Sequence, residues 1–184
     1  MFALSVVGTP NPSSFSHAMA DRAVTTLREL GVEVSHHDLY AEGYEPVRGA
    51  DALVMAHRAE LAAADLLLVF HPNWWSMPPA IVKGWIDRTF VPEVGYRDAP
   101  IGQPPIGLLK ARALVFNTAD TPPERERLVF GDPLQTIWET AVFGFCGIRT
   151  LDRRMYAPVT SSTPEQREVW LTEVEALVRA AAAL

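Results

Sequence analysis

Two adjacent tryptophans lie in the middle of the chain, where a loop would normally carry polar turn residues. Trp74 and Trp75 follow the apolar run of residues 66–70 and precede a helix that we expect to begin near Pro79. Such rings can stand beside a planar ring system and exclude water, while the peptide N–H groups of residues 73–76 bond its edge. Alternatively, one tryptophan anchors the core and the other contacts a second subunit. This loop is the candidate active site.

Two further loops carry polar groups that suit a bound cofactor. Residues 9–16 offer several hydroxyls, followed by the free N–H groups of a helix start, and this combination favours phosphate without a lysine. Ser13 or Ser14 could equally serve only as a helix cap. Residues 117–121 supply amide and hydroxyl groups for the edge of a ring, or simply form a turn.

The remaining candidate groups do not indicate a metal or acyl-transfer site. His36 and His37 are adjacent on a predicted strand, so they point to opposite faces and cannot chelate as a pair. We expect His17 and His57 at helix surfaces and Cys146 as an inert, packed thiol. No histidine, cysteine and carboxylate set has metal-ligand spacing, and no Gly-x-Ser-x-Gly elbow accompanies a histidine. We therefore expect no metal ligands.

The elements that must position these loops alternate between strand and helix. Apolar runs predict strands at residues 2–7, 32–39, 66–70, 112–118 and about 149–156. Helical spacing and caps predict five helices. The first ends at a left-handed Gly31, and the next two run from about Ala50 to Ala64 and from near Pro79 to Phe90. The fourth covers residues 134–143, and the last begins at Thr163. This alternation specifies the α/β class and a three-layer α/β/α sandwich, formed by one domain over residues 1–184.

Three segments carry more specific expectations. Residues 91–105 are rich in proline and glycine and longer than a usual connection, which indicates a functional excursion. The charged stretch that leads to Phe130 is interpreted as a loop, after which Asp132 caps a helix and Pro133 opens it. The last helix is expected to bury a face that includes Val169, Trp170, Val174, Leu177 and Val178.

Composition limits the classes of protein to which the chain can belong. With 184 residues and 48% hydrophobic content, it can form one domain with a full core. A net charge of −6 without a Lys/Arg cluster argues against a nucleic-acid partner. A single cysteine excludes an internal disulfide, and no apolar stretch reaches the roughly 20 residues of a membrane span. We expect a soluble, cytoplasmic protein.

The segment from Pro72 to Phe90 reads PNWWSMPPAIVKGWIDRTF and resembles the signature of the NAD(P)H:quinone oxidoreductase (DT-diaphorase) family of flavodoxin-like flavoproteins. Supporting matches follow in family order at residues 13–19, 38–40, 64–66, 95–96, 130–134 and 145–147. The resemblance implies a five-stranded parallel sheet of order 2-1-3-4-5, a flavin cofactor and a homodimer with the active site at its interface. It also implies NAD(P)H as the electron donor and two-electron, ping-pong hydride transfer to quinones or similar acceptors.

The resemblance assigns roles to individual positions. The matched pocket residues, which would shape the acceptor site, are Trp75, Met77, Tyr96 and Phe130. The matched cofactor residues would hold the flavin phosphate (Ser14, Phe15, Ser16, Ala18), the isoalloxazine ring (Pro72, Asn73, Trp74, Trp75), its pyrimidine edge (Asn117, Thr118, Ala119, with Asp120 in the same loop) and the adenine half of FAD (Arg167). The last match favours FAD slightly over FMN.

Of the three departures from the family pattern, one limits most what can be transferred. The mammalian enzymes carry a tyrosine and a His-Gly-Asp segment as a proposed proton relay, whereas this chain has Phe130-Gly131-Asp132 and no tyrosine between Asn117 and Phe130. Protons are then expected from solvent or substrate. Two other functions remain open, a flavin-binding regulatory subunit of a membrane transporter and a one-electron carrier of flavodoxin type.

Overall fold

The structure, a computed structural model, describes residues 1–47, 49 and 51–184. Its strands are β1 (Phe2–Val7), β2 (Glu33–Asp38), β3 (Leu66–Pro72), β4 (Tyr96–Arg97), β5 (Ile106–Gly107), β6 (Arg112–Thr118) and β7 (Arg149–Tyr156). The five long strands form one parallel sheet in the order β2-β1-β3-β6-β7. Counted over those five strands this is the order 2-1-3-4-5, so the expected topology is confirmed.

Helices cover both faces of this sheet. They are α1 (Phe15–Glu29), α2 (Ala52–Ala63), α3 (Ala80–Thr89), α4 (Pro123–Phe130), α5 (Pro133–Gln135), a π-helix (Thr136–Gly144) and α6 (Pro164–Ala182). Helices α1 and α6 bury apolar side chains against one face, and α2, α3 and the π-helix bury theirs against the other. The expected three-layer α/β/α sandwich is confirmed.

The central strand β3 shows why its sequence lacks a polar alternation. Leu66, Leu68 and Phe70 pack under α1 and α6, whereas Leu67 and Val69 pack on the opposite face. Because both faces are covered by helices, every position of the strand must be apolar. The strand also runs two residues beyond its apolar part, since residues 71 and 72 continue to pair with residues 117 and 118 of β6.

Several of the predicted helix ends and caps are confirmed. Gly31 adopts a φ of 74° at the end of α1, which is the left-handed stop expected for it. Thr163 caps α6 by accepting a hydrogen bond from Gln166 N at 3.2 Å. The second helix was expected to begin at about Ala50, which lies outside the described residues. Asp51 caps the observed α2 by accepting a bond from Val54 N at 3.0 Å.

The interpretation of the segment around residues 121–144 was wrong in three respects. The charged stretch before Gly131 is the helix α4, because Pro123 occupies its first turn, where proline is tolerated. Asp132 occupies the cap position but makes no capping bond, and its side chain pairs with Arg153 instead. The next helix is mostly a π-helix, and at its end a Cβ on Gly144 would lie 2.8 Å from Glu139 O, so the close i, i+5 approach requires glycine.

Two smaller expectations also change. The long loop contains a short antiparallel hairpin of β4 and β5, in which Tyr96 pairs with Gly107. On α6, Val174 and Val178 are fully buried as expected, but Val169 is exposed because it lies at the edge of the buried face. Among the described residues, no helix is both long enough and apolar enough to cross a membrane.

Candidate active site

The loops after β1, β3 and β6 meet at the carboxyl edge of the sheet, where open α/β sheets bind ligands. They surround a cavity of about 490 Å³, called the first cavity here. Backbone bonds fix the loops to one another, since Asn73 N donates to Thr118 O at 2.6 Å and Ala119 N donates to Tyr156 O at 3.2 Å. The loop that follows β7 closes the remaining side with Val159 and Thr160.

Most of the cofactor residues inferred from the sequence line this first cavity. They are Ser14, Phe15, Ser16, Pro72, Asn73, Trp74, Thr118, Ala119, Asp120 and Arg167. Three lie elsewhere. Ala18 lies on α1 and packs against the core, Trp75 lines a neighbouring cavity, and Asn117 is fully buried below the loops. Sequence reasoning did not single out Val159 and Thr160, although their position directly after a fifth parallel strand was a usable signal.

The start of α1 presents free backbone donors to the first cavity. Ser14 acts as the helix cap, since its Oγ accepts a bond from His17 N at 3.3 Å. The N–H groups of Phe15 and Ser16 have no hydrogen-bond partner in the part of the chain that the structure describes. A helix N-terminus with two such donors attracts an anion. Ser14 can therefore cap the helix while the N–H groups of Phe15 and Ser16 remain free to bind an anion.

His17 belongs to this framework and is not a surface residue as expected. Its Nε2 lies 2.9 Å from Asp38 Oδ2 at the end of β2, and its Nδ1 lies 3.1 Å from Ser14 Oγ. The ring is almost fully buried between the two elements. It therefore ties the start of α1 to the sheet edge.

The tryptophan pair forms a strained turn. Trp74 and Met77 exchange two backbone hydrogen bonds of 3.1 Å, and the residues between them, Trp75 and Ser76, have φ angles of 56° and 57°. This is the pattern of a type I′ turn, which usually contains asparagine and glycine. Each non-glycine residue in this conformation costs about 1–2 kcal/mol. The structure therefore holds strain at the candidate site, as functional sites often do.

The exposure of the two tryptophan rings excludes the alternative in which one of them anchors the core. Trp74 is 45% exposed and Trp75 is 94% exposed, so neither ring is a core anchor. The N–H of Trp74 is used within the turn, and the N–H of Asn73 donates to Thr118 O of the neighbouring loop. Of the peptide donors expected to face a ring, those of Trp75 and Ser76 remain without a partner among the described residues.

A second cavity of about 440 Å³ lies between this turn and α4. It is lined by Asn73, Trp75, Ser76, Thr121, Glu126 and Phe130. Two residues expected to shape the acceptor pocket, Trp75 and Phe130, belong to it. The other two do not, since Met77 is half exposed outside it and Tyr96 packs edge-on against Phe145 with ring centroids 4.8 Å apart.

A buried polar network supports the loop from below. His71 is fully buried, and its Nδ1–H donates to Pro72 O at 2.8 Å. Its Nε2 accepts a bond from Trp138 Nε1 at 3.0 Å, and Asn117 Nδ2 lies 2.9 Å from the same nitrogen. Desolvation by burial, aided by the positive charge of Arg153, lowers the pKa of His71 to about 4. The ring is therefore neutral at pH 7, with its proton on Nδ1.

The network continues to the segment after α4. Asn117 Oδ1 accepts a bond from Arg153 at 3.0 Å, and the same guanidinium bonds Gln135 Oε1 at 2.6 Å and Asp132. These contacts link three strands and two helical segments under one loop. Sequence reasoning did not find them because they depend on the register between β3, β6 and β7.

The comparisons with known proteins agree with this fold. The model of the family described as flavodoxin-like fold matches residues 1–177 of this chain. The chain belongs to that family. Its relatives include NAD(P)H dehydrogenase (quinone) 1 of Rattus norvegicus, which is 24% identical over 94% of this chain and 76% of that protein. Ribosyldihydronicotinamide dehydrogenase (quinone) of the same species is 29% identical over 91% of this chain and 86% of that protein.

A solved structure in this fold family also resembles the whole chain. Smu.1420 from Streptococcus mutans UA159 superposes with a TM-score of 0.86 at 28% identity, covering 98% of this chain and 100% of that one. The resemblance inferred from the residue motifs is thus confirmed by a family match over nearly the full length and by relatives with quinone dehydrogenase names.

One cluster of histidines and a carboxylate outside the cavities was not indicated by the sequence spacing. His37, Glu42 and His57 place possible metal-ligand atoms within 4.8 Å of one another. His57 is fully buried on α2, not exposed on a helix surface, and its ring lies 3.9 Å from that of His37. The sequence spacing gave no sign of this set because its members come from a strand, a loop and a helix.

The hydrogen bonds of the cluster indicate an ion-pair network. His37 lies between Glu42 and Glu60, at 2.6 and 2.5 Å. Although desolvation opposes it, these bonds raise the pKa of His37. Trp85 Nε1 donates to His57 Nδ1 at 3.1 Å, and His57 Nε2 lies 3.3 Å from Glu42 Oε2. The nitrogens that face the carboxylates are thus placed as hydrogen-bond donors, and a metal would have to displace their protons.

Proposed function

We propose that this protein is a flavin-dependent NAD(P)H oxidoreductase that delivers two electrons, as a hydride, to quinones or similar acceptors. The observation that carries the proposal is the first cavity, in which free helix N–H groups, a tryptophan and an unused amide acceptor converge at the carboxyl edge of the sheet. The names of the relatives, which are dehydrogenases with quinone as a named acceptor, support the same chemistry.

The residues present fit a flavin. The N–H groups of Phe15 and Ser16 suit its phosphate, and the ring of Trp74 supplies an apolar wall. Asn73 Oδ1 is buried without a partner among the described residues, so this wall of the cavity has an unused hydrogen-bond acceptor. A bound flavin supplies the two-electron hydride chemistry, while the protein supplies position and electrostatics.

The chain itself contributes rigidity and exclusion of water. His71 holds the carbonyl of Pro72, and the paired backbone bonds of Trp74 and Met77 hold the turn. The free N–H groups of Trp75 and Ser76 can stabilise negative charge that develops beside the loop. NAD(P)H and the acceptor would use the adjoining second cavity in turn, which gives ping-pong kinetics.

We also propose FAD as the flavin and a homodimer as the assembly. Arg167 lines the first cavity and is held rigidly by bonds to Ser162 Oγ at 2.8 Å and Val159 O at 3.0 Å, which suits stacking against an adenine ring. Exposed apolar side chains flank the second cavity, and a second copy of the chain would cover them. They are Trp75, Leu128, Val129 and Phe130.

Identification of the bound flavin tests the proposal most directly. The purified protein is expected to be yellow, and mass spectrometry of the released cofactor should identify FAD. Anaerobic mixing with NADH or NADPH should bleach the flavin, and a quinone should restore its colour. A colourless protein that binds neither added FAD nor added FMN would contradict the proposal. Release of FMN alone would correct only the choice of flavin.

A further inference from the structure

A buried carboxylate without an ion pair lies at the second cavity. Glu126 is 2% exposed, although it belongs to the otherwise exposed helix α4. Its Oε1 accepts a bond from Ser76 Oγ at 2.5 Å. Among the described residues, no lysine, arginine or histidine nitrogen lies within 4.0 Å of this carboxylate. A charge withdrawn from water in this way is destabilised unless a cation compensates it.

The neighbouring cations of the described chain are engaged elsewhere. Arg153 feels the charge of Glu126, but its guanidinium is bonded to Asp132, Gln135 and Asn117. Arg125 lies over the ring of Phe130, with its guanidinium carbon 6.0 Å from the ring centroid. Among the described residues no cation is thus bonded to the Glu126 carboxylate, and a positively charged ligand in the cavity would supply the missing partner.

The walls of the second cavity suit a flat, positively charged ring. Trp75 and Phe130 line it, and both side chains are substantially exposed. The faces of such rings attract cations, most strongly where a cation is withdrawn from water. The other polar lining residues, Asn73, Ser76 and Thr121, carry no charge. Shape and charge thus favour the same kind of ligand.

We propose that the second cavity selects acceptors built on a planar aromatic cation, such as an N-alkylated azinium ring, with Glu126 as the specificity-determining residue. The inference rests on the proposed function and names the acceptor class of that site. Asn73 lines both cavities, so an acceptor held against Glu126 lies next to the proposed cofactor position.

The chemistry of such a ring fits a chain that lacks the family's proton relay. In the overall reaction a C–H bond of the dihydronicotinamide breaks, and an N–H bond forms at the free ring nitrogen of an N-alkylphenazinium. The donor ring is oxidised by two electrons and the cation becomes a neutral dihydrophenazine. No additional proton is consumed, whereas a quinone needs one to become a hydroquinone. Loss of the positive charge also weakens the attraction to Glu126 and favours product release.

Direct binding tests the charge preference without turnover. Calorimetric titrations would use three rings of similar shape: cationic N-methylquinolinium, neutral quinoline and anionic quinoline sulfonate, each with the cofactor-free and the FAD-loaded protein. We expect the cation to bind about tenfold more tightly than the neutral ring, and the anion to bind most weakly. Equal affinity for the three rings in the wild-type protein would overturn the proposal.

Two variants assign the preference to one carboxylate. Glu126→Gln is expected to remove the difference between the cation and the neutral ring. Glu124→Gln, which removes the same charge from an exposed position of the same helix, should retain it. A preference that persists in Glu126→Gln would refute the assignment. If this variant does not fold, the comparison of the three rings on the wild-type protein still decides whether the charge preference exists.

Steady-state kinetics separates this inference from the proposed function. With NADPH as donor, N-methylphenazinium should show a KM about tenfold lower than that of a neutral naphthoquinone, and Glu126→Gln should raise only the KM of the cation. If the protein contains no flavin and reduces none of the acceptors, the proposed function is refuted. Reduction of quinones with no preference for the cation in KM or in binding would refute the inference alone.

Discussion

The indole N–H of Trp138 donates to Nε2 of the fully buried His71 at 3.0 Å. The π-helix thus fixes the His71 ring, which in turn supports the loop of the candidate active site. On its other side, His71 donates to the carbonyl of Pro72 at 2.8 Å. The imidazole therefore connects the core to the loop through two fixed hydrogen bonds. This connection requires a neutral ring with its proton on Nδ1.

Trp138→Phe should destabilise the protein by about 1–2 kcal/mol beyond the loss of ring area, because it removes a donor to a buried acceptor. Urea unfolding of the cofactor-free protein measures the change. Trp170→Phe is the control, since the indole N–H of Trp170 makes no hydrogen bond within the described chain. Equal losses in the two variants would show that the bond to His71 contributes little.

Stability should depend on pH through His71. Its pKa is lowered from 6.5 to about 4 in the folded state, so the unfolded chain binds the proton first. The contribution is fully present above pH 6.5 and is lost as the pH falls towards 4, by up to about 3 kcal/mol. His71→Gln cannot titrate, and its stability should fall less steeply over this range. Parallel curves for the two proteins would contradict the assignment.

Strain in the turn predicts an unusual ranking of two variants at one position. Ser76→Gly and Ser76→Ala both lose the hydroxyl that bonds Glu126, but only glycine adopts a φ of 57° without strain. Ser76→Gly should therefore be more stable than Ser76→Ala by about 1 kcal/mol. Thermal unfolding of the two variants side by side measures the difference. A more stable alanine variant would argue against the left-handed turn.

Asn73→Ala should separate stability from flavin binding. Because Asn73 Oδ1 is buried without a partner in the described structure, its removal should leave the cofactor-free protein no less stable. Flavin affinity, measured by fluorescence titration, should fall about fivefold if this acceptor bonds the ring, since such a bond contributes about 1 kcal/mol. Asn11→Ala, in another loop of the same cavity, serves as the comparison. Unchanged flavin affinity in Asn73→Ala would exclude this residue from the ring contacts.

The sequence by itself determined the scaffold and the place of the candidate site. The bounds of β1, β6 and β7, the stop at Gly31 and the cap at Thr163 depend on apolar runs and on neighbours a few residues away, so the local sequence contains them. The convergence of three loops follows as well, because successive parallel strands end at one edge of the sheet. The strand order came from the family motif, since periodicity does not encode it.

Only the tertiary structure decided which side chains meet. The pairs Ser76–Glu126 and His71–Trp138 join residues 50 and 67 positions apart, and the strand register and helix docking bring them together. The same holds for His57, whose burial follows from packing against Trp85. Helix α4 was missed because its first turns are charged and its proline indicated a break, although proline is tolerated in a first turn. Contacts of this kind depend on distances between elements, and local sequence patterns carry no measure of those distances.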